Sequence, residues 1–112
     1  MSFSTSVERR DDAAIVTMEG DLDIATEAQA TADLDRAMDG AELLVVDLRE
    51  LSFLDSTGVR VLLAADLRAR EKGMRFGLVR GDGMIARLLE VTRIDQRFPV
   101  VDDPDELLGG SG

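Results

Sequence analysis

The side chains best placed to do chemistry lie in "LSFLDSTGVRVLL", residues 51–63, where an apolar run gives way to Asp55, Ser56, Thr57 and Gly58 before a helical pattern begins. A hydroxyl at such a junction can cap a helix, attack as a nucleophile or accept a phosphoryl group. Capping by Asp55 or Ser56 asks least, because the first N–H groups of a helix lack partners. Nucleophilic attack asks most. The serine would need a base, the chain has no histidine, and "LDSTG" is not the G-x-S-x-G of a hydrolase elbow. A phosphoryl acceptor needs only an exposed hydroxyl and a place for a doubly negative group, which a helix start supplies.

Two other constellations compete. Asp21, Asp23, Asp47 and Asp55 could form the carboxylate cluster of a receiver-like domain that takes phosphate on aspartate. Such a site also needs a lysine on a late strand, whereas Lys72 falls in the "EKG" turn. Solvated or capping carboxylates are the simpler reading. The segment "GDGMIA" matches G-x-G-x-x-A, but a dinucleotide fold needs far more chain, so a plain strand-to-helix turn is expected.

Composition narrows the field further. With 112 residues, 45% of them apolar and 32% charged, the chain suits one globular domain. A net charge of −10, with Lys72 the one lysine among thirteen basic residues, would repel nucleic acid and anionic lipid. The lack of cysteine excludes disulfides, a thiolate nucleophile and Cys-based zinc sites. No apolar run approaches the ~18 residues of a membrane span, and the N-terminus has no apolar leader core. A cytoplasmic location is the expectation.

The elements that must position Ser56 can be read from periodicity. Phe3, Thr5 and Val7 alternate and "AAIVTM" follows Asp11 and Asp12, which predicts an opening hairpin. From Ala25 to Met38, the residues Ala30, Leu34, Ala37 and Met38 mark one helical face, closed by Gly40. "ELLVVDL" reads as a central strand buried on both faces. Val59, Leu62, Leu63 and Leu67 predict the next buried stripe, with Arg60, Arg68 and Glu71 outside it. "RFGLV" is a strand, and "MIARLLEV" a helix with Ile85, Leu88 and Leu89 inward. "RFPVV" follows as a strand that Pro99 confines to an edge or a strand end. "DDPDELL" starts a last helix and "GGSG" a flexible tail over residues 109–112. The predicted order is β-β-α-β-α-β-α-β-α, an α/β domain over residues 1–108.

The run "VVDLRELSFLDSTGVRVLL", joined to "MEGDLDIATEAQ" and the "REKG" turn, resembles the STAS family of sulphate transporters and anti-sigma factor antagonists. That resemblance implies a mixed sheet with helices packed on one side. The short single-domain members it is most similar to are bacterial antagonists of anti-sigma factors, regulators of transcription rather than enzymes. By the same resemblance, Ser56 is the residue phosphorylated by the anti-sigma factor, itself a serine kinase. The unphosphorylated form binds that kinase and releases the sigma factor. A serine phosphatase would restore it. ATP and magnesium would belong to the kinase, so no cofactor is expected, and the free chain is expected to be a monomer. The implied partner surface comprises Asp21, Asp23, Asp55, Ser56, Thr57, Gly58 and Arg60. Arg60 is a departure, because relatives commonly carry glycine there, as in G-L-G-V. A cation at that place could pair with an acidic group on the partner, pair with the phosphate, or block close approach. Two rival readings stay open: a STAS scaffold subunit in a stress-sensing or transporter assembly, and the receiver-like domain.

Overall fold

In the computed structural model, which describes residues 3–108, the opening alternation folds as a hairpin. Strand β1 (Phe3–Arg10) runs antiparallel to β2 (Ala13–Leu22), with Val7 opposite Val16 and Glu8 opposite Ile15. The tail predicted at 109–112 lies outside the described residues, as do Met1 and Ser2. Beyond the hairpin every pairing is parallel: β2 with β3 (Leu43–Asp47), β3 with β5 (Arg75–Val79), and β5 with β6 (Val100–Val101). Pro99 precedes β6 at the edge of the sheet, where its missing N–H does no harm.

One strand was not expected. The residues Leu51–Leu54 form β4, parallel to the far end of β2. The cause lies in strand length: β2 has ten residues and β3 only five. The end of β2 therefore runs past β3 with backbone groups that need partners. After a register shift at Gly20/Asp21, Asp21 faces Phe53 and Leu22 faces Leu54. The segment L-S-F-L is buried only at its two ends and does not alternate, so no period of two announces the strand.

The two faces of the sheet are covered differently. Ala14, Val16, Leu44, Val46 and Leu78 pack with Leu34 of α1 (Glu27–Met38), Leu62 of α2 (Ser56–Glu71) and Leu89 of α3 (Gly83–Val91) in one core. Their neighbours Ala13, Ile15, Leu43, Val45 and Val79 point the other way. They meet Leu107 and Leu108 of the short α4 (Asp105–Leu108). The three long helices thus share one side, as the resemblance implied, and four residues of helix close the other. Gly77 makes room for that closure, since a Cβ there would stand 2.7 Å from Leu107 Cδ1.

Helix α1 buries the predicted Ala30, Leu34, Ala37 and Met38 but begins at Glu27 rather than Ala25. Asp23 to Thr26 are engaged in a turn described below. Helix α2 is rotated from the predicted stripe: Val59, Val61, Leu62, Ala65, Asp66 and Ala69 are buried, and Leu67 is 53% exposed. The small Ala65 and Ala69 let the helix approach the sheet, which a search for large apolar residues overlooks. Asp66 is carried inside with them and pairs with Arg70 at 3.2 Å. The "GDG" segment is a turn into α3, with Asp82 at the cap position and Gly83 at φ +58. A one-turn 3-10 segment, Ile94–Gln96, also absent from the predicted order, links α3 to β6.

Candidate functional site

The site grows out of the pairing of β2 with β4. Because Leu22 and Leu54 are partners, the loops that follow them, Asp23 onward and Asp55 onward, leave the same end of the sheet together. Asp55 is extended, at φ −120 and ψ −170, and its Oδ1 accepts the Gly58 backbone N–H at 3.1 Å. Asp55 is therefore the cap, and the alternative of capping by Ser56 is settled against. Ser56, the first residue of α2, is exposed, and its hydroxyl makes no hydrogen bond among the described residues.

The next two residues turn inward. Thr57 is buried, and its hydroxyl accepts a long 3.4 Å contact from Arg60 Nη2. Gly58 is buried where α2 presses on the end of β2. A Cβ on Gly58 would lie 2.8 Å from the Leu22 carbonyl oxygen and 2.4 Å from Leu54 Cδ1, so any side chain there lifts the helix start away from the sheet. Arg60 returns to the surface.

On the neighbouring loop, Asp23 is half-buried and shapes the backbone. Its Oδ1 accepts the N–H groups of Ala25 and Thr26 at 3.0 and 3.2 Å. Thr26 locks the same turn, donating its hydroxyl to the Asp21 carbonyl at 2.8 Å and accepting the Asp23 N–H at 3.1 Å. Asp21 is half-buried on the last stretch of β2. The structure thus brings all seven predicted residues to one end of the sheet, with Ser56 and Arg60 outermost and Thr57 and Gly58 beneath them.

Asp47 lies apart from them, buried at the end of β3. Arg49 grips its carboxylate through Nε and Nη2, the latter at 2.8 Å. The hydrogen bond to Asp47 is the first cause that raises the Arg49 guanidinium above its usual value. With Asp47 held by Arg49, Asp55 by Gly58 and Asp23 by its turn, three of the four carboxylates a receiver-like site would need are engaged separately. No three carboxylates are gathered closely enough to share a metal ion among the described residues. Lys72 closes α2, far along the helix from Ser56.

Sequence reasoning missed one feature of this end. Between β4 and α3 lies an open cleft of about 280 Å³ whose lining includes Ser52, Phe53, Met84, Arg87, Leu88 and Val91. Phe53, Met84 and Val91 are 47%, 85% and 71% exposed. The signal was present in α3, where Met84, Leu88 and Val91 repeat at i, i+4 and i+7. Leu88, predicted inward with Ile85 and Leu89, is only partly buried against the core and also lines the cleft. A helix apolar on two adjacent faces leaves one unpartnered.

Chemically, a serine hydroxyl that makes no hydrogen bond to a base among the described residues is a poor nucleophile on its own and a good acceptor for a group delivered by a partner.

A family profile described as the STAS domain matches residues 4–107. The chain is 26% identical over 105 residues to the anti-sigma F factor antagonist of Paenibacillus polymyxa, which covers 92% of this chain and 90% of that one. It is 30% identical over 76 residues to osmosensory protein A of Mycobacterium tuberculosis, covering 68% of this chain and 48% of that one. The crystal structure of an anti-sigma factor antagonist from Mycobacterium paratuberculosis superposes with a TM-score of 0.87 at 28% identity, covering 97% of this chain and 93% of that one. Among the described residues no helix is long and apolar enough to cross a membrane.

Proposed function

The chain belongs to the STAS domain family, and from that membership we propose that it is a cytoplasmic anti-sigma factor antagonist switched by phosphorylation of Ser56. The unphosphorylated form binds an anti-sigma factor that is also a serine kinase, and the sigma factor is released. The kinase then joins Ser56 Oγ to the γ-phosphorus of its own ATP. The hydroxyl proton passes to a base on the kinase, ADP leaves, and a serine phosphatase later hydrolyses the ester. The chain is the substrate in this cycle, not the enzyme.

The observation that carries this reading is the division of labour at the start of α2. Asp55 supplies the cap at 3.1 Å to Gly58 N, and the Ser56 hydroxyl is left exposed and, among the described residues, unbonded. Thr57, the adjacent hydroxyl, is buried and is not offered to a partner. The names of the Paenibacillus and M. paratuberculosis relatives support the antagonist role.

Mass spectrometry of the protein taken from its own cells tests the switch. Phosphoserine at position 56 is expected, and acid-labile aspartyl phosphate would favour the receiver-like reading instead. A scaffold subunit that carries no phosphate is the second reading, favoured by the partial match to an osmosensory protein. A protein unmodified under every growth condition tried would support it.

A further inference from the structure

We propose that Arg60 clamps the phosphate once Ser56 is phosphorylated, so that the modified residue is held by the chain's own cation. The inference rests on the reading of Ser56 as acceptor, and on a relationship between two side chains rather than on the helix start alone. Ser56 and Arg60 are four residues apart in α2 and both are exposed, so they occupy one face, a turn apart. Helical side chains lean back toward the N-terminus, and a long one at Arg60 covers the turn that holds Ser56. The contact of Arg60 Nη2 with Thr57 Oγ1 at 3.4 Å shows the guanidinium leaning that way already.

Arg60 is also available. Like Arg9, Arg75, Arg87, Arg93 and Arg97, it pairs with no carboxylate among the described residues, and of these only Arg60 lies on α2 with Ser56, whereas Arg68 and Arg70 of that helix are paired. A phosphoserine brings about −1.5 to −2 charges and three acceptor oxygens, which match the planar fork of a guanidinium. The carboxylates of this end act in the opposite sense. Asp55 is one residue away, and Asp21 and Asp23 flank Leu22, whose carbonyl lies against Gly58. Without Arg60 only the start of α2 would offset these acids.

The clamp predicts a shift in the phosphate's own titration. A nearby cation favours the dianion over the monoanion, so the second pKa of phosphoserine falls. The test is a ³¹P NMR titration of the full chain carrying genetically encoded phosphoserine at position 56, beside its Arg60→Gln and Arg60→Lys variants. In the parent, that pKa is expected about 0.3 to 0.7 unit below that of Arg60→Gln, the range of an exposed charge pair. Arg60→Lys should restore part of the shift, because the charge remains while the fork is lost. Equal values in parent and Arg60→Gln within about 0.1 unit would overturn the clamp, as would an Arg60→Lys variant indistinguishable from Arg60→Gln. Because the phosphate is encoded, no kinase is involved. Absence of phosphoserine in cells would remove the switch without touching this result, and a failed shift would leave the switch standing.

Discussion

The Asp55 carboxylate accepts the Gly58 N–H at 3.1 Å across the exposed Ser56. One hydrogen bond thereby starts the helix and frees the hydroxyl beside it. Asp55→Ala should unfold about 1 kcal/mol more easily, the usual loss for a removed cap, and Asp55→Asn should recover most of it. Urea denaturation of the three proteins measures this. Equal stability of parent and alanine variant would mean that the cap contributes nothing.

Ser56→Ala should behave differently. Since the hydroxyl bonds nothing among the described residues, its removal should change stability by less than about 0.5 kcal/mol. The variant should still bind the partner kinase but incorporate no phosphate. A kinase assay with full phosphate incorporation into Ser56→Ala would place the acceptor elsewhere.

Gly58→Ala should be damaging despite the gain of about 1 kcal/mol in helix propensity. Its Cβ would meet the Leu22 carbonyl at 2.8 Å, and backbone cannot step aside as a side chain can. A net loss of about 1 to 2 kcal/mol is expected, within the range of overpacked cores. A thermal melt equal to or above that of the parent would contradict the close approach.

Gly77→Ala provides the contrast. The atom in its way, at 2.7 Å, is Leu107 Cδ1, the end of a flexible side chain on a half-buried residue of α4. Leu107 can turn aside, so the loss should be smaller than for Gly58→Ala, about 1 kcal/mol or less. Parallel urea titrations rank the two glycines, and the reverse order would show that α4 is held more rigidly than the first turn of α2.

Phosphorylation of Ser56 should weaken kinase binding at least about a hundredfold, because a desolvated, unmatched charge at an interface commonly costs several kcal/mol. The domain itself should not refold. Amide NMR shifts are expected near Asp21–Thr26 and the first two turns of α2. Shifts spread over β3, β5 and α4 would indicate a conformational switch, and unchanged affinity would remove the switch.

Much of the architecture was legible before any coordinates. The unbroken apolar run of "ELLVVDL" announced β3, all of whose residues are buried, and the α1 stripe was read residue for residue. The α2 stripe was not, because Ala65 and Ala69 bury the helix without being large, while Leu67 is large and remains outside. Strand β4 was hidden because its existence depends on the length of β2, whose Leu22 pairs with Leu54 from a distant part of the chain, rather than on its own four residues.

The local sequence alone determined that a polar Asp-Ser-Thr-Gly segment would sit where a strand becomes a helix, since periodicity and capping propensity act over a few residues. Which hydroxyl faces solvent and which faces the core was decided by tertiary structure. That choice follows from the close contact of Gly58 with Leu22, which presses the first turn of α2 against β2, buries Thr57 and leaves Ser56 and Arg60 on the outer face. Contacts between residues distant in the chain depend on how elements pack, and no local pattern encodes them.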